Sequence, residues 1–143
     1  LIAAVLLLLF RDLMHARDPF AAAPRLCARM PASHESHGEE WRRFDVERGF
    51  VELGPFERKT PRKIIIVARF ATHDEASSFM HQIADAVPVA AQPRFTPDTE
   101  TWRGVIIEGR TMFGLEIANS DCFVVITLVA DGPRTIVPYT SSQ

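Results

Sequence analysis

The sequence predicts an α+β fold, on three observations. Residues 63–70, KIIIVARF, are a β-branched run that reads as a strand. The stretch that follows at once, THDEASSFMHQIADAV over 72–87, repeats apolar residues at three- and four-residue spacing, the period of a helix with one buried face. Two further apolar runs, TWRGVIIEGR at 101–110 and CFVVITLVA at 122–130, have strand composition and lie beyond a loop rich in proline and threonine.

The elements follow in order. Residues 1–10, LIAAVLLLLF, are unbroken apolar before Arg11 and Asp12. A membrane-spanning helix needs about 20 such residues, so ten are too few unless others precede them. The absence of an initiating methionine makes processing or truncation plausible. Three readings of residues 1–15 compete: the end of a membrane helix, the remnant of a targeting signal, or a helix docked on another protein. An ordinary amphipathic core helix is the fourth. The expectation carried forward is an apolar helix buried in a membrane or a partner. Residues 16–40 hold three prolines, a glycine and many small residues without a clean period. They read as an extended arm, with at most a short helix near Arg25 to Met30.

The compact domain is expected over residues 41–130. FDVERGFVEL, 44–53, reads as a half-buried strand with a turn near Gly49, and GPFERKTPRK, 54–63, as a loop with two prolines and four basic residues. In the helix, Thr72 and Glu75 fit a capping box, and Asp74 and Glu75 suit the positive end of the helix dipole. Ala76, Phe79, Met80, Ile83 and Val87 form the buried stripe, and Pro88 ends the helix. CFVVITLVA reads locally as a buried strand, with a helix begun by Asn119 or Ser120 as its rival. Residues 131–143 are expected to be an extended peripheral tail.

Composition narrows the function. The chain has 143 residues, 47% of them hydrophobic, enough for one core. Sixteen basic against eighteen acidic residues give a net charge of −2, without the basic excess of a nucleic-acid interface. Cys27 and Cys122 are too few for a zinc site or a disulfide scaffold, which suits a reducing compartment or an organelle matrix. His34 and His37 lie three apart in a polar stretch and do not make the H-E-x-x-H zinc pattern. His73 and His81 flank the helix stripe with no nucleophile or second acid placed beside them in the sequence. The basic cluster at 57–63, ERKTPRK, reads as a solvated loop, with phosphate or an acidic partner as the functional alternative. No P-loop, G-x-G-x-x-G, G-x-S-x-G or C-x-x-C motif is present.

The run from Phe70 to Ala84, FATHDEASSFMHQIA, resembles the pterin-4a-carbinolamine dehydratase family, also known as dimerization cofactors of a homeodomain transcription factor. There a strand ending in an aromatic leads directly into a helix with Ala, Phe-Met and an aliphatic-Ala pair at these spacings. Trp41 suits the tryptophan that opens the family's first strand, and Trp102 to Ile107 suits a later strand. Gly114-Leu115 with Asp121 suits the start of the last helix, with two extra residues between. The likeness covers about residues 41–130 and is strongest over 63–84. It departs at the family's signature. Where His-His-Pro is due, the chain reads Ala91-Gln92-Pro93, and GRTMF at 109–113 lacks the family's later histidine. Those imidazoles move protons as water leaves the carbinolamine. Alanine cannot, glutamine does not titrate and arginine stays protonated.

The resemblance implies a four-stranded antiparallel sheet with helices packed on one face, and it favours the helical reading of residues 119–130. It implies a degenerate member: no catalytic residue, no cofactor and no metal, with a remnant pocket at Ala91, Gln92, Pro93, Trp102 and Arg110. The function expected is a non-enzymatic, structural or interaction subunit of a larger organellar membrane complex, first of all at the mitochondrial inner membrane. Its partners would be other protein subunits, some membrane-embedded, or further copies of itself, and not nucleic acid. Two alternatives stand beside it. One is a divergent 4a-hydroxytetrahydrobiopterin dehydratase using His81 or a carboxylate such as Asp98, which alone would require a pterin. The other is an assembly factor or chaperone on the same fold.

Overall fold

The structure is a computed structural model and describes residues 4–87, 101–108 and 111–130. Two helices open the chain, α1 (Ala4–His15) and α2 (Pro19–Ala28). Four strands follow: β1 (His34–His37), β2 (Arg42–Val46), β3 (Gly49–Glu57) and β4 (Thr60–Arg69). A third helix, α3 (His73–Asp85), precedes β5 (Thr101–Glu108), β6 (Thr111–Ser120) and β7 (Phe123–Ala130). The architecture is α+β with one antiparallel sheet.

That sheet has seven strands in the order β1-β2-β3-β4-β7-β6-β5, each antiparallel to its neighbours. The four strands expected are therefore corrected to seven. Two meanders, β1 to β4 and β5 to β7, are joined through α3 and meet where β7 pairs with β4. The extra strands come from segments whose turns are shorter than the sequence suggested. Residues 44–53 contain two strands, not one, with the turn at Glu47-Arg48. GPFERKTPRK is not a loop: β3 runs through Glu57, Arg58 and Lys59 make the turn, and Thr60 begins β4. Among the described residues, Arg48 (φ 61°), Arg58 (φ 64°) and Asp121 (φ 57°) supply the left-handed residue in the β2–β3, β3–β4 and β6–β7 turns.

The helix favoured over residues 119–130 is also corrected. β7 pairs with β4 from Lys63↔Val129 to Arg69↔Phe123 and with β6 from Phe113↔Ala130 to Ser120↔Phe123. The β-branched run Val124–Thr127 agrees with that outcome, and local propensity prevails over the resemblance.

The extended arm is corrected as well. Asp18 caps α2, accepting hydrogen bonds from the Phe20 and Ala21 amides at 3.0 and 3.3 Å, and Pro19 follows as the first helical residue. Pro24 lies inside this helix. Residues 34–37 then add β1 to the sheet edge with all four side chains exposed.

Burial alternates along the central strands. Phe44, Val51, Leu53, Ile64, Ile66, Ala68, Val124, Ile126, Leu128, Phe113, Leu115 and Ile117 are buried, and the register sets them side by side on one face. They join one core with Phe20, Ala23 and Cys27 of α2, the buried stripe of α3, and Leu6, Leu9, Phe10, Leu13 and Met14 of α1. The helices thus cover a single face. The α1 run spends five of its side chains on the chain's own core, which is the amphipathic core-helix reading, while Leu8 stays 57% exposed. No helix among the described residues is long and apolar enough to cross a membrane.

Candidate functional site

Of the remnant pocket, Ala91, Gln92, Pro93 and Arg110 lie outside the described residues, as does Asp98. Trp102 lies on β5, paired with Ile117 of β6. The stripe residues Ala76, Phe79, Met80 and Ile83 are buried on α3, and Val87 is buried just beyond it. They join the core beneath the sheet, and Phe79 also reaches a groove at the end of the sheet.

That groove, about 510 Å³, lies between α1, α3, the β2–β3 turn and the end of β4. Its apolar wall is Leu6 and Leu7 of α1, Ala68 and Phe70 at the end of β4, and Phe79 of α3, whose ring packs on Phe70 with centroids 5.1 Å apart. Glu47, Arg48, Arg69, Glu75, Ser78 and Gln82 supply its polar wall. Two cations face two carboxylates, so the groove has no net sign. Sequence reasoning missed it because it joins four segments far apart in the chain.

The imidazoles stand apart from it. His73 at the start of α3 donates from Nδ1 to the Asp121 carbonyl oxygen at 3.0 Å, tying the helix to the β6–β7 turn. The Phe70 amide donates to the Cys122 carbonyl at 2.8 Å and fastens the same corner. His81 is exposed on α3, and His34 and His37 are exposed on β1, where His37 Nε2 lies 2.6 Å from Glu35. Among the described residues no group of three histidines, cysteines or carboxylates converges as a metal site would require. Burial pushes the Cys27 thiol up to about 12, with the charge of Glu35 adding to it. Desolvation, with Asp121 and Glu75 nearby, also raises the Cys122 thiol. Both shifts disfavour the nucleophilic thiolate.

The second surface feature is the sheet face turned away from the helices. On it, Phe50, Val67, Val125 and Ala118 form one cross-strand row. Arg43, Glu52, Ile65, Thr127 and Glu116 form the next. Gly54, Lys63, Val129 and Gly114 form a third. Ile65, Val67, Val125 and Val129 are half-buried, and Phe123, one row beyond Val125, is 43% exposed. Arg43 is fixed on this face: its Nε donates to Asp45 at 2.9 Å, and its guanidinium lies 3.7 Å from the centroid of the Phe50 ring. Trp41 lies against Gly54, where a Cβ would come within 2.6 Å of the indole.

Such a face can cover another apolar surface. It offers hydrophobic area with the Arg43–Asp45 pair at one side. In comparisons of the chain with family models, with curated proteins and with solved structures, nothing matches.

Proposed function

We propose that this chain is a non-enzymatic interaction component, a subunit that works by presenting a surface to other protein. One observation carries the reading. The three helices gather on one side of the sheet, and no described element covers the opposite side, where Ile65, Val67, Val125 and Val129 lie together. β-branched residues on an uncovered face are costly for a free monomer and useful in an interface.

The likeness to pterin dehydratases supports the same reading more weakly. It rests on residues 63–84, which form the end of β4 and α3. The seven-stranded sheet departs from the four strands which that likeness implied, so the proposal leans on the sheet face. It does not lean on α1, whose apolar side chains are engaged in the core.

The test is isolation from native membranes in mild detergent, with the size and composition of the resulting species measured. A stoichiometric assembly containing other subunits is the expected result, and an organellar membrane assembly is the first partner class to seek. Migration as the chain alone overturns the proposal. Dehydration of 4a-hydroxytetrahydropterin above the uncatalysed rate would replace it with the enzymatic reading.

A further inference from the structure

We infer that β1, an outer strand of the sheet, pairs antiparallel with β1 of a second copy of this chain, about a two-fold axis that stands perpendicular to the sheet between the two Ser36 residues. This surface is the sheet edge, separate from the open face, so the inference goes beyond the reading of the chain as an interaction component.

Hydrogen-bond parity shows that the edge is open. Antiparallel strands alternate between residues that exchange backbone hydrogen bonds with the neighbour and residues whose N–H and C=O point away from it. The Gly38 amide donates to the Trp41 carbonyl at 2.7 Å. With the register running from His37↔Arg42 to His34↔Asp45, Ser36 and His34 therefore bond to β2, and Glu35 and His37 turn their backbone groups outward. Among the described strands none lies on that side of β1, and no described residue bonds the outward groups. All four side chains of β1 are exposed. α2 sits over β3 and β4, so it stands back from this edge. Natural edges are guarded against another strand by proline, lysine, a bulge or charge. Residues 34–37 hold no proline or lysine and pair with β2 without a bulge. Their one acid, Glu35, is already partnered, 2.6 Å from His37 Nε2.

The strand's own sequence selects the occupant and the register. A two-fold perpendicular to the sheet lets only outward residues exchange backbone bonds, so the choice lies among pairings of Glu35 and His37. Glu35 against its own copy opposes two carboxylates. His37 against its own copy sets Glu35 opposite Glu39, which again opposes carboxylates. Glu35 against His37 avoids both and makes two backbone bonds at each pair, four in all, where the other two registers join β1 to β1 through one such pair. Glu35 and His37 lie two apart on one face of the strand. The acid–imidazole contact within each copy is kept, and the two contacts close into an alternating ring of four side chains. A strand of unrelated sequence gains the same backbone bonds without this match.

Four residues a side make a contact well below standard size, so association is weak and the concentration series must reach about 1 mM. Sedimentation equilibrium of the full chain, with circular dichroism to verify the fold of each variant, should show monomer and dimer in exchange. Glu35→Pro removes an outward N–H and spares the bonds to β2, so it should keep the fold and abolish the dimer. His37→Glu sets carboxylates opposite one another and should weaken the dimer about tenfold or more. Glu35→Arg added to it should recover most of the loss. Ser36 meets its own copy as a non-hydrogen-bonded pair, where Cα atoms lie about 4.5 Å apart, within reach of a disulfide. Ser36→Cys in a Cys122→Ser background should therefore oxidise to a covalent dimer. His34→Cys in that background should not, because position 34 lies opposite Gly38. A folded monomer at every concentration overturns the inference. So does a dimer that Glu35→Pro leaves unchanged, or a His34→Cys that cross-links as readily as Ser36→Cys. If Glu35→Pro fails to fold, the charge pair and the two cysteine variants decide. A β1 dimer that isolates from membranes without other subunits keeps this inference and sinks the larger-assembly proposal. A monomer found within a larger assembly does the reverse.

Discussion

At Gly49 an added Cβ would lie 2.3 Å from the Val67 carbonyl oxygen and 3.1 Å from Leu6 Cδ1. The first neighbour is backbone of the paired strand and cannot swing aside. Gly49→Ala must therefore spread β3 from β4 and disturb the seat of α1. A loss of about 2–3 kcal/mol is expected, as for an overpacked core site, and should appear as a lower urea midpoint. An unchanged midpoint would mean that the strands are not in close contact there. The residue also shows how a correct rule can be applied one position out. Glycine before a strand suggests a turn, because it adopts positive φ freely. Here Arg48 takes the positive φ, and Gly49 is needed inside the strand for its missing side chain. Nothing in the local sequence distinguishes these two uses of a glycine, since the close neighbour, Val67, is 18 positions away.

At the scale of elements, α3 is the one whose start and buried face were legible. Its N-cap hydroxyl, Thr72 Oγ1, accepts from the Glu75 amide at 3.2 Å and donates to the Glu75 carboxylate at 3.3 Å. Thr72→Ala removes both bonds and should cost about 1 kcal/mol, measurable by chemical denaturation. Thr72→Ser should restore most of it. A fully neutral Thr72→Ala would show that the contact between His73 and the Asp121 carbonyl holds the helix start by itself. α3 could be read because its signals are local: cap, dipole and a 3.6-residue period all lie within one stretch. α2 was missed although its start is equally local, in Asp18-Pro19. Three prolines in 16–40 outweighed that pair, yet one of them opens the helix and another is tolerated within it. The strand count was missed for a different reason. Two-residue turns at Glu47-Arg48 and Arg58-Lys59 carry no glycine at the strained position, so the sequence showed no punctuation there. The candidate surface was still less legible, because it exists only once seven strands are in register.

At the scale of the whole molecule, the one-sided layering makes the environment of Cys27. α2 closes over β3 and β4, and the thiol is fully enclosed among core side chains. Desolvation is the main reason its pKa rises to about 12 from an ordinary value of 9.0, and the charge of Glu35 is the second. The consequence for stability follows from proton counting. The folded pKa is above the unfolded one, so below about pH 9 both states keep the proton and the group costs nothing. Between about 9 and about 12 the unfolded chain loses its proton while the folded chain retains it, so stability falls as pH rises. One such group gives a slope of up to about 1.4 kcal/mol per pH unit. The informative quantity is the difference between the wild type and Cys27→Ala. That variant should be less stable near pH 7 by about 1–2 kcal/mol for the lost packing, and it should lose less stability than the wild type between pH 8.5 and 10.5. Urea unfolding at those pH values reads both effects. Parallel pH profiles would mean that the thiol ionises within the folded protein, which requires water at Cys27 and a helical layer more loosely closed over the sheet than its burial implies.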